Sequence, residues 1–274
     1  MAAKPVAPNK QRHLAVLIDA DNAPVAIVEG LFEEIAKYGV ASVKRIYGDW
    51  TKPNLGSWKK VLLDHSIQPI QQFAYTSGKN ATDSALIIDA MDLLYTRRFD
   101  GFCLVSSDSD FTRLAARIRE EGLTVYGFGE QKTPSPFVSA CDKFIYTEIL
   151  RSDAKAAAAD DKPLAAVPEP AAMPKPGAAD KPAPIECQQV PVEFIAKVLD
   201  DISEEDDWVQ LGTLGQNISK LRPAFDPRLY GCNKLSELIR AQPGHFELEA
   251  RGSGSAGGKD LYVKVRKPRR SAKR

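Results

Sequence analysis

No run of apolar residues in this chain exceeds five; the longest is residues 14–18. A membrane-spanning helix needs roughly 20, so no span is expected. The opening stretch, MAAKPVAPNKQRH, has no apolar core of a secretory signal. Cysteine is scarce: Cys103, Cys141, Cys187 and Cys232 lie far apart with no Cys-x-x-Cys spacing. Disulfides and zinc are therefore not expected, and reduced buried thiols are. The three histidines, His13, His65 and His245, are scattered and give no basis for a serine or cysteine triad. No Gly-x-Gly-x-x-Gly follows the first apolar run, which argues against a nucleotide-binding Rossmann domain. Net charge is nearly absent as well: 37 Lys+Arg against 36 Asp+Glu leave +1. A uniformly basic nucleic-acid binder is excluded, and a soluble, cytoplasmic protein is expected.

What is present divides unevenly along the 274 residues. Between 154 and 184 there are 12 Ala and 7 Pro, with few large apolar side chains. Such a segment has too little apolar surface to offset its ordering entropy, and proline interrupts any helix. It reads as a disordered tether. The charges divide likewise. Residues 1–150 carry 17 basic and 18 acidic side chains, and 185–260 carry 8 and 13. Residues 261–274 carry 7 basic side chains and no acidic ones. The expected organisation is a first domain at 10–150, a linker at 151–187, a second domain at 188–267 and a basic tail at 268–274.

Within 13–150, short β-branched-rich runs at 13–18, 41–47, 67–73, 101–105, 123–128 and 143–147 read as strands. Amphipathic segments at 24–38, 55–64, 82–95 and 110–121 separate them; in the last, Phe111, Leu114, Ala115 and Ile118 share one helical face. This alternation predicts an α/β fold with a parallel sheet covered on both faces, whose ligand site lies at the carboxyl ends of the strands. Residues 188–266 differ: three helical stretches precede two alternating runs around a Gly/Ser loop at 252–258, a winged-helix pattern.

Acidic residues gather at the expected strand ends. LAVLIDADN places Asp19 at the end of the first strand, followed by Asp21 and Asn22, and FCLVSSDSDF places Asp108 and Asp110 just past the fourth. Asp83 opens the third helix on the stripe of Ile87, Ala90 and Leu94, aimed at the same edge. Any one of these aspartates is explained equally well as a helix cap or turn residue. Four at one edge would repel one another, and a divalent cation resolves that. All-oxygen ligands favour Mg²⁺ or Mn²⁺ over zinc, and such an ion suits phosphodiester hydrolysis. Asp21 reads as a cap or a supporting residue, and Asp89 and Asp92 as a solvated helix face. Trp50, Lys52, Trp58, Lys59 and Lys60 follow the second strand, where aromatic and basic residues interleaved suit unpaired RNA. Trp58 reads equally as a residue packed on the sheet.

IDADN, then Asp83 before an apolar helix, then SSDSDF and LAARIREEGLTVYGFG, together resemble the NYN (LabA-like) domain of the PIN-like ribonuclease superfamily. The resemblance spans nearly all of 13–150. It implies a PIN-like α/β/α sandwich with a mainly parallel sheet, and RNA cleavage by metal-activated water. Asp19, Asp83, Asp108 and Asp110 would be the catalytic, metal-holding carboxylates. Asn22 would orient the first of them or contact metal or RNA, with Asp21, Lys79, Ser106 and Ser107 supporting carboxylates or phosphate. Ser107 stands where family members commonly have glycine, which lowers the expectation of full activity. The DAD run is also similar to haloacid-dehalogenase-type phosphatases, but Ala23 and Pro24 follow where that family carries a hydroxyl residue.

The entry Trp208-Val209-x-Leu211-Gly212 and the stretch PAFDPRLYGCNKLSELI resemble a LOTUS (OST-HTH) domain. That implies a winged helix that binds RNA, with Arg228, Tyr230, Asn233 and Lys234 as candidate contacts. The second domain is itself acidic, so the tail, with Lys267, Arg269 and Arg270, is expected to supply the phosphate contacts. The function expected is a metal-dependent endoribonuclease, its two domains tethered on one strand. The alternative is an RNA-binding adaptor that keeps the fold without turnover. The partners expected are RNA, single-stranded or structured, and no membrane. A homodimer and a protein partner on the LOTUS domain are left open.

Overall fold

The computed structural model describes residues 11–73, 81–151, 189–203, 207–252 and 259–266. Lys79, the tail residues Lys267, Arg269 and Arg270, the Gly/Ser loop at 253–258, Cys187 and all of the linker but Arg151 lie outside the described residues.

Strands β1 (His13–Asp19), β2 (Val40–Gly48), β3 (Gln68–Gln71), β4 (Gly101–Val105), β5 (Thr124–Gly129) and β6 (Lys143–Tyr146) form one sheet in the order β3-β2-β1-β4-β5-β6. Every pairing is parallel. β1 is buried from Leu14 to Asp19 because both of its faces are covered. Leu14, Val16 and Ile18 face a core with Ile27, Val28, Leu31 and Ile35 from the 3₁₀ turn Val25–Ile27 and helix α1 (Val28–Ile35). The alternate residues, Ala15 and Leu17, face helices α3 (Ala81–Tyr95) and α4 (Thr112–Glu120), with Phe137 of α5 (Ser135–Ala140). The short helix α2 (Gly56–Lys59) carries Trp58, 2% exposed, into the first core, where its indole N–H donates to Ala23 O at 3.0 Å. Trp58 is a core residue and not an RNA contact.

The second domain comprises α6 (Val192–Ile202), the short β7 (Val209–Gln210), α7 (Leu211–Leu221), α8 (Leu235–Arg240) and the hairpin β8 (Phe246–Gly252)–β9 (Lys259–Val265). Its sheet order is β7-β9-β8, antiparallel throughout. Ile195, Val198, Leu214, Ile218, Leu238, Ile239, Phe246 and Val263 build its core.

Several expectations change. The segment at 24–38 is a 3₁₀ turn plus an eight-residue helix, and 55–64 contains only the four-residue α2. α5 and β7 were not expected; both are too short for a hydrophobic period to show. Asp89 is half-buried and engaged: it accepts from Arg45 Nη1 at 2.8 Å and from the Tyr47 hydroxyl at 2.9 Å, tying α3 to β2.

The two domains are in contact. Phe144 N–H, on the outer edge of β6, donates to Pro223 O at 3.0 Å, so the turn after α7 caps an otherwise open sheet edge. Beside it, Arg228 donates to both carboxylate oxygens of Asp226, at 2.9 and 2.6 Å, and to Glu34 of α1 at 2.9 Å. Glu34 is 3% exposed and also accepts from Lys37 and Tyr38, each at 2.6 Å. Burial disfavours the Glu34 carboxylate, but the hydrogen bonds from Arg228, Lys37 and Tyr38 outweigh it and bring its pKa down to about 2. Arg228, expected to meet RNA, is thus committed to a buried charge network between the domains. The two domains, expected as a tethered pair, thus also touch one another directly.

Candidate active site

In a sheet of order 3-2-1-4-5-6 the connections leave in opposite directions from β1 and β4, which opens a crevice at their carboxyl ends. Asp19 ends β1 and Ser106 follows β4, so the acidic sequence motifs fall on either side of that crevice. α3 and the 3₁₀ turn Ser109–Phe111 that leads into α4 both begin there, with Asp83 and Asp110 in their first turns. Acidic side chains at helix N-termini are favoured by the helix dipole.

Asp19 is fully buried and held by three donors. Asp21 N–H reaches Oδ1 at 3.0 Å; Asn22 Nδ2 and Ser106 Oγ reach Oδ2 at 2.7 and 2.8 Å. Burial raises its pKa, and those hydrogen bonds oppose the rise. Ser106 also accepts from Asp108 N–H at 3.1 Å, which couples the first carboxylate to the loop bearing the others. Asp108 caps the 3₁₀ turn, Oδ1 accepting from Asp110 N–H at 2.9 Å. Its capping role and its place in the acidic group coexist, because a cap uses one carboxylate oxygen. Ser107 accepts from Glu130 N–H at 2.9 Å, so its hydroxyl fastens the end of β5. Asp21 is exposed, 3.5 Å from the Thr82 hydroxyl.

The carboxylates that one ion would span are Asp83, Asp108 and Asp110, whose ligand oxygens all lie within 4.8 Å of one another. Asp19 stands beside this group, close enough to act on Asp83. Burial, then the charges of Asp19, Asp108, Asp110 and Asp21, push the Asp83 carboxyl up to about 6. An all-carboxylate set under mutual repulsion fits a hard divalent cation such as Mg²⁺ or Mn²⁺.

A pH dependence follows. Below its ordinary value of 3.8 the Asp83 carboxyl is protonated whether folded or unfolded, and above about 6 it is ionised in both. Between these, only the unfolded chain releases the proton, so stability falls as pH rises. After allowance for solvent screening, the loss is about 1–2 kcal/mol. Thermal melts of metal-free wild type and Asp83→Asn should diverge from pH 4 to 6, the variant ending the more stable; parallel curves would contradict the crowding of Asp83.

The expected RNA contacts of the first domain flank this edge. Trp50 and Lys52 follow β2, the neighbour of β1. Trp50 is half-buried, its indole N–H donating to Ile70 O at 3.0 Å, while Lys52 is exposed. Asp49 shapes this loop by accepting from Thr51 and from Gln71 Nε2. In the second domain Tyr230 packs against Phe225, ring centroids 5.6 Å apart, and Asn233 N–H donates to Glu237 at 2.9 Å. Lys234 is exposed.

Among the described residues no helix is long and apolar enough to cross a membrane. The NYN domain model matches residues 13–150, and the OST-HTH/LOTUS domain model matches residues 186–256. No curated protein matches the chain. Similar solved structures include a protein of unknown function from Vibrio parahaemolyticus, 19% identical, covering 50% of this chain and 93% of that one with a TM-score of 0.42. An uncharacterized protein from Nitrosomonas europaea is 35% identical, covering 36% of this chain and 92% of that one with a TM-score of 0.28. With half its length matched by one family model and the acidic motifs gathered at one crevice, the chain belongs to the NYN-domain family and carries an OST-HTH/LOTUS domain behind it.

Proposed function

We propose that this protein is a metal-dependent endoribonuclease whose second domain contributes RNA binding. The two matched families place it among RNA-related proteins. The observation that carries the finer reading is the convergence of Asp83, Asp108 and Asp110 within 4.8 Å at the β1/β4 crevice. These three residues would hold Mg²⁺ or Mn²⁺. The ion supplies positive charge against the scissile phosphate and makes water more acidic. Asp19 is kept in one orientation by Asn22, Ser106 and Asp21 N–H. Among the described residues its Oδ1 accepts from Asp21 N–H alone, so this fixed negative charge would act on Asp83 and the bound ion from behind. Lys52 and the anchored Trp50 would position the strand beside the carboxylates.

The test is incubation of the full chain with 5′-labelled single-stranded and stem-loop RNAs in Mn²⁺, Mg²⁺ or EDTA. Internal cleavage is expected with either metal and none in EDTA. Equal cleavage in EDTA would refute metal dependence, and binding without cleavage in every metal would establish the adaptor.

A further inference from the structure

At the opposite end of the sheet, where the strands begin, the two domains border an open cleft of about 720 Å³. Arg12, just before β1, Tyr126 of β5 and Lys143, the first residue of β6, line it from the NYN domain. Gln216, Ser219 and Lys220, from one side of α7, line it from the other. Three cations from two domains therefore share one opening. None of the three forms an ion pair among the described residues. Arg12 makes a long contact of 3.4 Å with the Tyr126 hydroxyl, and the Lys143 ammonium lies 5.0 Å over the Tyr38 ring. Asp226 is the one acidic residue in the lining, and both of its oxygens are taken by Arg228.

This pattern has a cost without a ligand. Lys143 is partly buried, and burial lowers its pKa; the charges of Asp226 and Glu34 oppose the drop, but neither forms an ion pair with it. Structural lysines ordinarily keep the ammonium in water. A polyanion laid along the cleft would meet all three cations, with Gln216 and Ser219 as neutral donors beside them.

We propose that this interdomain cleft is a second RNA-binding site, gripping the phosphate backbone of a single strand at the sheet end opposite the carboxylates. The inference rests on the RNA reading above. Its occupant follows from charge complementarity: the excess positive charge is concentrated, contributed by both domains, and held in no ion pair among the described residues. Backbone contacts position a strand without reading its sequence. The seven residues of β1 separate the cleft from the crevice, a distance of about 20 Å at strand rise. RNA held here reaches the carboxylates only by running around the sheet, so the cleft favours long strands over short ones. Docking by Arg228 and Glu34 becomes a requirement for binding at this cleft, because it builds the cleft.

The experiment is fluorescence anisotropy of a labelled 20-nucleotide oligouridine with the full chain in EDTA, over a range of salt. The variant is Lys143→Gln with Lys220→Gln. Arg12→Gln with Lys220→Gln serves if the first pair disturbs docking, and Lys197→Gln, on the exposed face of α6, is the control. The expected result is a roughly tenfold loss of affinity and a salt slope shallower by about 1.4, at 0.7 per lost phosphate contact, with the control unchanged. Wild-type binding that both double variants preserve, slope included, would overturn the cleft while leaving the cleavage site standing. Failure of the wild-type chain to bind RNA would overturn the cleft and the RNA reading together. An oligoglutamate peptide that displaces the RNA more effectively than unlabelled oligouridine would also overturn it.

Discussion

Asp108→Asn should reduce metal-dependent RNA cleavage by about 10³-fold or more and leave RNA binding in EDTA unchanged. The substitution keeps size and the capping geometry, since an amide oxygen still accepts from Asp110 N–H. What it removes is one of three negative ligands within 4.8 Å. Losing several kcal/mol of metal-borne charge stabilisation corresponds to a rate loss of this size. Asp110→Asn should behave alike. Asp19→Asn introduces a second fault, because donors approach both of its oxygens and its NH2 group would face one of them whichever way the amide turns. Single-turnover cleavage beside anisotropy separates chemistry from binding. Cleavage by Asp108→Asn within tenfold of wild type would remove this residue from the reaction.

Arg228→Ala should release the second domain from the first. Asp226, 7% exposed, would lose both guanidinium donors and keep only the backbone N–H of residue 228 among the donors that Arg228 supplies, and Glu34 would keep Lys37 and Tyr38. Breaking a buried pair costs 3–5 kcal/mol; with two donors left on Glu34, about 3 kcal/mol is expected. That shifts the docked-to-undocked ratio by roughly 10²-fold. Acid should do the same to the wild-type chain. The folded Glu34 pKa of about 2 lies below its ordinary 4.5, so its stabilisation is complete above 4.5 and is lost as pH falls toward 2. Small-angle scattering of the full chain should show a larger radius of gyration for Arg228→Ala at pH 7. Identical scattering curves for variant and wild type would contradict the proposed role of this network.

The residues expected at the catalytic edge were readable because parallel strands make the end of each apolar run a shared location. Asp108 and Asp110 lie just past β4, and Asp83 lies on the inward stripe of α3; the structure brings those three together. Asp19 needed only the end of β1, but its three hydrogen bonds depend on Ser106, 87 positions away. The network of Arg228 with Glu34 was illegible for the same reason on a larger scale. Its partners are 194 positions apart across a segment of Ala and Pro, and each charge alone reads as ordinary surface. Asp89 misled because helical periodicity identifies the face turned from the core, not a cation arriving from β2. The 3₁₀ turns before α1 and α4 leave the apolar pattern nearly intact while shortening the helices.

Melting temperature with and without Mn²⁺ at pH 7, for wild type and Asp83→Asn, tests most directly whether the carboxylates converge to hold a metal. Wild type should melt lower than the variant without metal, because Asp83 is ionised against its neighbours, and should rise on Mn²⁺ addition. Asp83→Asn should start higher and gain little. An equal rise in both proteins would contradict the account.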